Sequence, residues 1–352
     1  MVFSEILVNY VLPMIYSSFV SLVLVLFFLF IFRIKDSNIR ILFFFLPLIK
    51  PIIMISEKID IDKIYFQTQL KTYGLRIPAP NNIFKFKVLD RDPAILSDIN
   101  YLIILLIIIS IFSILIIRWA NFYLFYRNLA HEDKVGRKDV PEIYNIIDDY
   151  IKKIKIKAPD VSLTYRNYFS PFVVGIKNCT IVLSPNLIEK LNHDEKKTLI
   201  QHELSHIKRK DNLISWAALI LRDLLFFNPF AYIAYYLIRT EQEKDSDKLI
   251  VKYSGKPVKE ISKNILNIIL KIKSISTSKP VYEPVQSFTF LPLSLFNQIK
   301  LKNRINSIFK TDPVKIYSHI FPRILMYTLF IILLLVQIVF IFKINNSYIF
   351  LR

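Results

Sequence analysis

The 352-residue sequence is 53% hydrophobic and contains 29 phenylalanines, which is more apolar than a soluble domain of this length needs for its core. This composition speaks against a soluble protein and favours an integral-membrane one. The net charge of +19 is spread along the chain without a nucleic-acid-reading motif, so it predicts basic flanks of membrane helices and no nucleic-acid partner. The single cysteine, Cys179, excludes an intramolecular disulfide and a cysteine-based zinc cluster.

Four apolar segments are predicted to cross the lipid bilayer, and they cover residues 11–32, 41–55, 101–117 and 324–342. Runs of about 17–25 apolar residues match the thickness of a hydrocarbon core. The second segment is short and contains Pro47, Lys50 and Pro51, which predicts either a kinked crossing or a re-entrant segment. We therefore expect a multi-pass protein.

Basic residues predict the orientation of these segments. Lysines and arginines follow the third segment and precede the fourth, which by the positive-inside rule places residues 128–320 in the cytoplasm. Residues 1–127 then form a membrane region with an outward loop at 56–98, and residues 321–352 form the last span and a short tail. The predicted location is the cell (plasma or inner) membrane.

Periodicity within residues 128–320 predicts an α+β domain. The elements expected first are a helix at 141–153, a strand at 161–165 and a hairpin of strands at 172–175 and 180–184. Asn192 and Glu195 then approximate a capping box, which opens a helix that runs through Lys208.

That helix carries the motif His202-Glu203-Leu204-Ser205-His206. Histidines four residues apart lie above one another on one helical face, so both imidazoles can reach one metal ion. Glu203 is near enough to take a proton from an attacking water molecule without binding the metal itself. The spacing predicts one Zn²⁺ per chain, held by His202 and His206, with Glu203 as the general base.

A catalytic zinc site needs a third protein ligand and one open position. Arg209 and Asn212 stand where a compact histidine-only continuation of the motif would need glycine and histidine, so that arrangement is excluded. Asp211 is predicted to cap or end the helix and not to bind metal. The remaining source is a carboxylate from elsewhere, and residues 241–247 supply four of them on a helix that begins after Asn228.

Two carboxylate pairs with helical spacing compete for this role. The face of Glu241 and Asp245 continues into lysines and is expected to be solvated, whereas the face of Glu243 and Asp247 continues into apolar residues. Glu243 is therefore the predicted ligand, and Asp247 is predicted to orient a ligating imidazole. Residues 213–238, apolar but interrupted by charges, are expected to form a helical hairpin on or in the bilayer surface.

The group that stabilises negative charge on a substrate is left open at this point. Three side chains are candidates, namely Tyr236, Arg239 and His193.

Several of these segments together resemble the membrane zinc peptidases that act as beta-lactam sensor-transducers, the BlaR/MecR type. The resemblance rests on residues 170–175, 180–184, 202–211, 227–230 and 243–247. It implies a cytoplasmic gluzincin-type peptidase domain between the third and fourth spans of a mostly α-helical membrane protein. It also implies that His202, His206 and Glu243 bind zinc and that Glu203 is the base. In related peptidases an edge strand pairs with the substrate backbone, and the corresponding residues are Thr180, Ile181, Val182, Leu183 and Ser184.

Two departures from this family are expected to matter. The sequence ends at Arg352, without the extracellular penicillin-binding domain that follows the fourth span in antibiotic sensors, and Ser246 stands where the family usually has cysteine. The predicted function is cleavage of a protein substrate near the cytoplasmic membrane face, with a role in regulatory signalling. The alternatives are a membrane quality-control or processing peptidase of the HtpX/CAAX-protease type, an intramembrane protease, and a non-enzymatic signalling scaffold with a structural zinc.

Overall fold

The computed structural model describes residues 11–58, 134–164 and 171–276, together with isolated helical residues within 109–127, at 308–309 and within 327–332. The chain divides into two compact units. We call the first the α1 unit, because it contains helix α1; it comprises residues 1–113, 218–238 and 319–352. The second, the sheet unit, comprises residues 114–217 and 239–318. The predicted division into a membrane region at 1–127, a peptidase domain at 128–320 and a last span at 321–352 stays a prediction.

The α1 unit begins with helix α1 (Leu12–Ile31), followed by α2 (Ser37–Phe44) and α3 (Leu46–Lys58). Among the described residues, α1 is the one helix long and apolar enough to cross a bilayer. The predicted segment 41–55 is divided between α2 and α3, which meet at Phe45. The predicted spans at 101–117 and 324–342 and the loop at 56–98 lie largely outside the described residues.

Residues 218–238 contact α1 within this unit. The Asn228 side-chain amide donates to the Met14 carbonyl at 3.4 Å, and the rings of Phe230 and Phe19 lie 5.0 Å apart. Arg222 and Asp223 are buried side by side, with Arg222 Nη2 donating to Asp223 Oδ1 at 2.7 Å. Pairing lowers the cost of burying these two charges in apolar surroundings.

The sheet unit contains a mixed sheet of strands β1 (Lys134–Val135), β2 (Asp160–Leu163), β3 (Phe172–Val174) and β4 (Thr180–Leu183). Their spatial order is β1-β2-β4-β3, with β2 and β4 parallel and both outer pairs antiparallel. The predicted β3–β4 hairpin is therefore present. Its turn requires glycine, because Gly175 has a φ of +91° and a Cβ atom there would lie 2.2 Å from the Asn178 carbonyl oxygen.

The helices of the sheet unit are α4 (Pro141–Ile154), α5 (Pro185–Ile188), α6 (His193–Arg209), α7 (Asp211–Leu224), α8 (Pro229–Ser254) and α9 (Val258–Ser276), of which α7 and α8 continue into the α1 unit. Helix α6 is the central one, because α4 and α9 both pack against it. Its fully buried Ile200 and Leu204 join Ile147 and Ile181 in one apolar core. The core therefore holds the inner face of α6 rigidly against the sheet.

The N-terminal end of α6 is closed as its sequence predicts, and its C-terminal end is closed at Lys210. The Asn192 side chain accepts from the Glu195 amide at 2.8 Å, and Glu195 Oε2 accepts from the Asn192 amide at 3.0 Å, which completes the capping box. At the other end, Lys210 takes a left-handed conformation with a φ of +56° and stops the helix. Asp211 follows at once as the first residue of α7.

Candidate metal centre

Helix α6 brings His202 and His206 together on one face. Their Nε2 atoms lie 3.1 Å apart, and both imidazoles are mostly buried. The spacing of four residues places the rings one helical turn apart, as the sequence pattern requires. Two nitrogen lone pairs at this distance would repel each other unless a cation lies between them.

Helix α8 brings Glu243 to the same point. Its Oε2 atom lies 3.4 Å from His202 Nε2, and its Oε1 atom lies 3.9 Å from His206 Nε2. One ligand atom from each of the three residues lies within 4.8 Å of the other two. A tetrahedral zinc ion with bonds of 2.0–2.1 Å would separate its ligand atoms by about 3.3 Å. The two imidazole nitrogens and the carboxylate therefore fit a zinc ion in both chemistry and spacing.

The other ring nitrogen of each histidine faces a carboxylate. Asp247 Oδ1 lies 3.0 Å from His202 Nδ1, and Asp211 Oδ2 accepts a hydrogen bond from His206 Nδ1 at 2.7 Å. Both carboxylates are fully buried. A proton on Nδ1 leaves the Nε2 lone pair for a metal ion, so the hydrogen bond to Asp211 favours this tautomer of His206, and the Asp247 carboxylate lies where it can do the same for His202.

The role of Asp211 at the metal centre was not predicted from the sequence. This residue was expected to cap or end α6, but α6 ends at Lys210 and Asp211 begins α7, from where its carboxylate orients His206. Ser246 Oγ lies 3.1 Å from His206 Nδ1 and 3.4 Å from Asp211 Oδ2, so the residue in place of the usual cysteine joins the same group. The spacing of five residues between His206 and Asp211, across the end of a helix, is the feature of the sequence that could have indicated this contact.

A set of hydrogen bonds joins the start of α7 to α8 around the site. Gln242 Nε2 donates to the Asp211 carbonyl at 3.1 Å, and Gln242 Oε1 accepts from Ser215 at 3.0 Å and from Arg239 Nη1 at 3.0 Å. Arg209 donates to the Gln242 carbonyl at 3.1 Å. These bonds hold the two helices that contribute Asp211 and Glu243 in a fixed relation.

Glu203 lies outside the set of ligand atoms but beside it. Its side chain is only 6% exposed. Burial raises the pKa of Glu203, while the charges of His206 and His202 act in the opposite direction. A carboxyl group with a raised pKa near two imidazoles is suited to accepting and returning a proton.

The two competing carboxylate pairs, Glu241 with Asp245 and Glu243 with Asp247, have different neighbours in the structure. The difference is not the predicted one between a solvated and an apolar face. Glu241 is 3% exposed and forms a 2.8 Å ion pair with Lys244, so its face is buried and not solvated. Asp245 pairs with Arg209 at 3.0 Å. Both carboxylates therefore have basic partners, and Glu243 and Asp247 face the histidines.

The predicted substrate strand is corrected. Strand β4, which was expected to offer a free edge at Thr180–Ser184, pairs with β2 on one side and with β3 on the other. Its backbone groups are thus engaged on both sides, and its four residues are buried. The edge strand of this hairpin is β3. The carbonyl of Val173 in β3 and that of Gly175, which follows the strand directly, accept hydrogen bonds from Asn212 Nδ2 at 3.1 and 2.9 Å.

The three candidates for stabilising negative charge on a substrate lie in different places. His193 is on the surface, where its Nδ1 atom lies 2.9 Å from Glu142 Oε1. Tyr236 lies on α8 one turn before Arg239 and stays a candidate. Arg239 lies beside the metal centre, with Nη2 3.8 Å from Glu243 Oε1.

Comparison with known proteins finds two kinds of relative. The chain is 29% identical over 101 residues to the methicillin resistance mecR1 protein of Staphylococcus aureus, which covers 28% of this chain and 17% of that protein. It is 28% identical over 119 residues to the protease HtpX homolog of Pyrococcus abyssi, covering 33% of this chain and 41% of the homolog. A second HtpX homolog, from Pediococcus pentosaceus, is 30% identical over 95 residues, covering 26% and 32%.

The matched region spans less than half the length of each of these relatives. A family profile extends further, because the BlaR1 peptidase M56 profile matches residues 15–308 and so includes most of α1, most of the sheet unit and every residue of the candidate centre. The chain belongs to the BlaR1 peptidase M56 family.

Proposed function

We propose that this chain is an integral-membrane zinc metalloendopeptidase that cleaves a protein substrate near the cytoplasmic face of the membrane. The observation that carries the proposal is the convergence of His202, His206 and Glu243 beside the buried carboxyl group of Glu203. Membership of a peptidase family supports the reaction class. One zinc ion per chain is proposed, bound by these three side chains with a position left for water or substrate.

When bound, zinc polarises a carbonyl group and makes water more acidic. Glu203 takes a proton from the attacking water as the new carbon–oxygen bond forms. It then returns that proton to the amide nitrogen as the carbon–nitrogen bond breaks, so the carboxyl group ends the cycle unchanged. Asp211 and Asp247 keep the imidazoles of His206 and His202 oriented throughout.

Strand β3 is the proposed place for the substrate backbone. An extended peptide can add to an edge strand through main-chain hydrogen bonds. Asn212 already donates to the Val173 and Gly175 carbonyls, so substrate pairing at these atoms requires its side chain to move away. Asn212 is adjacent to Asp211, which places this edge close to the metal centre.

The proposed membrane arrangement has four spans, with the peptidase domain between the third and the fourth. Helix α1 supports the first span. The basic residues that flank the domain support its cytoplasmic orientation. A role in regulatory signalling is proposed because the chain resembles the BlaR/MecR-type sensor-transducers, and its membership of the BlaR1 peptidase family supports this role.

A second function has its own support. The relatives named as protease HtpX homologs favour a membrane quality-control or processing peptidase with the same metal chemistry. The two functions differ in substrate range, because a signalling peptidase cleaves one partner and a quality-control peptidase cleaves many unfolded chains.

The test compares wild-type full-length protein in detergent with Glu203→Gln and with the control Glu189→Gln, whose side chain is exposed. Fluorescein-labelled casein is the substrate, and bound zinc is measured by mass spectrometry. We expect one zinc per chain in all three proteins and a fall in cleavage of about 10²–10⁴-fold in Glu203→Gln alone. Undiminished cleavage by Glu203→Gln contradicts the proposed base. Stoichiometric zinc without cleavage by the wild type favours a structural zinc scaffold.

A further inference from the structure

Arg239 lies on helix α8 one turn before Glu243. Its Nη2 atom is 3.8 Å from Glu243 Oε1, and about a third of its side chain is exposed (34%). A guanidinium group in this position is at the edge of the metal centre and is also open to an incoming molecule. Arg239 is one of the three candidates for stabilising negative charge that the sequence offers.

The guanidinium group is held in place by neutral acceptors. Its Nη1 atom donates to Ser215 Oγ at 2.9 Å and to Gln242 Oε1 at 3.0 Å. Gln242 is itself fully buried and anchored to the Asp211 carbonyl. Fixed donors that need no reorganisation are the most effective at stabilising charge that develops during a reaction.

We propose that Arg239 is a catalytic residue that donates a hydrogen bond to the scissile carbonyl oxygen as that oxygen becomes negatively charged. This inference rests on the proposed peptidase function. Water adds to the carbonyl carbon, the carbonyl π electrons move to the oxygen, and the proton released from water goes to Glu203. The oxygen then returns its electrons as the carbon–nitrogen bond breaks, and Glu203 protonates the leaving amine. Arg239 keeps its proton throughout and lowers the barrier by charge stabilisation alone.

A different role is possible for the same contact, in which Arg239 only positions Glu243. The two roles predict different measurements. A positioning residue would change zinc affinity, because Glu243 is a proposed ligand. A donor to the substrate oxygen would change kcat and the binding of tetrahedral analogues, while zinc affinity stays the same.

The experiment uses full-length protein in detergent and compares wild type, Arg239→Ala, Arg239→Lys and the control Arg137→Ala, whose side chain pairs with Asp148 on the surface. Casein cleavage gives kcat and KM, and competition with a fluorescent chelator gives zinc affinity. Two dipeptide probes are also titrated: N-phosphoryl-Leu-Trp, which carries tetrahedral anionic oxygens, and N-mercaptoacetyl-Leu-Trp, which binds zinc through sulfur without them.

We expect Arg239→Ala to lower kcat by about 10²–10³-fold, with KM and zinc affinity unchanged. It should weaken the binding of the phosphoryl probe by a similar factor and change the binding of the mercapto probe by no more than about threefold. Added guanidinium ion should restore part of the kcat of Arg239→Ala, and Arg239→Lys should lose less than Arg239→Ala. Arg137→Ala should match the wild type.

Three results would overturn the inference. An unchanged kcat in Arg239→Ala would show that Arg239 is not the donor. Loss of zinc affinity, with activity restored by excess zinc, makes Arg239 a positioning residue for Glu243. Equal weakening of the two probes shows that Arg239 does not recognise the tetrahedral oxygens. If the wild type binds zinc but does not cleave casein, the proposed function fails, and the comparison of the two probes still decides whether Arg239 binds an anionic oxygen.

Discussion

The carboxylate of Asp211 accepts a 2.7 Å hydrogen bond from Nδ1 of His206, although the two residues belong to successive helices. Lys210, in a left-handed conformation between them, ends α6 and turns the chain back so that this contact can form. The end of one helix therefore builds part of the metal centre.

The first prediction concerns this contact. We expect Asp211→Asn to weaken zinc binding by about 10–100-fold, because the neutral amide polarises the imidazole less and holds it less firmly. Zinc affinity is measured by competition with a fluorescent chelator. Asp160→Asn is the control, because Asp160 is exposed and pairs with Lys134 away from the histidines. Equal zinc affinity in Asp211→Asn and wild type would show that this carboxylate does not support the metal ligand.

The second prediction separates the two carboxylate pairs of α8. Glu243→Gln should lose stoichiometric zinc, because an amide oxygen is a much weaker zinc ligand than a carboxylate. Glu241→Gln should keep its zinc, because Glu241 pairs with Lys244. Bound zinc is counted by mass spectrometry after gel filtration in detergent. Retention of one tightly bound zinc by Glu243→Gln would remove Glu243 from the ligand set.

The third prediction concerns Asn212 at the edge of β3. Asn212→Ala frees the Val173 and Gly175 carbonyls, so an extended substrate no longer competes with a side chain for them. We expect KM for casein to fall by about two- to tenfold, the worth of one or two net hydrogen bonds, with kcat little changed. A rise in KM would instead mean that Asn212 holds the hairpin in the conformation that binds substrate.

The fourth prediction concerns the cap of α6. Although burial alone raises the pKa of Glu195, hydrogen bonds from Lys271, the Asn192 amide and Asn267 lower it overall. A lowered pKa in the folded state means that the ionised group stabilises the fold above the unfolded pKa of about 4.5. This contribution is lost as the pH falls through the folded pKa.

Glu195→Gln should therefore unfold more easily at pH 7, by about 1 kcal/mol, because the helix cap and the ion pair are weakened. The difference from wild type should shrink as the pH falls below about 4.5. Thermal unfolding is followed in detergent with a chelator present, so that zinc does not contribute, and Glu189→Gln is the control. A difference that stays constant down to pH 3 would contradict the assigned role of the Glu195 charge.

Local sequence patterns were sufficient for the elements that depend on neighbouring residues. The capping box at Asn192 and Glu195, the helix that carries the two histidines, the β3–β4 hairpin and the helix that begins at Pro229 all follow from spacing within a few residues. The distance of one helical turn between His202 and His206 is a property of the α-helix itself, so their convergence could be predicted without knowledge of the fold.

Only the tertiary structure decided which groups from distant parts of the chain lie beside the two imidazoles. Strand order is set by pairing between segments far apart in the chain, and this placed β4 inside the sheet and β3 at its edge. Glu241 was expected on a solvated face, but Lys244 neutralises it in a buried position. Asp211 and Arg239 acquire their neighbours because α6, α7 and α8 pack around one point, and hydrophobic periodicity does not specify which polar side chains meet there. The sequence by itself therefore determined the two imidazoles and the adjacent carboxyl group, and packing determined the groups that orient and surround them.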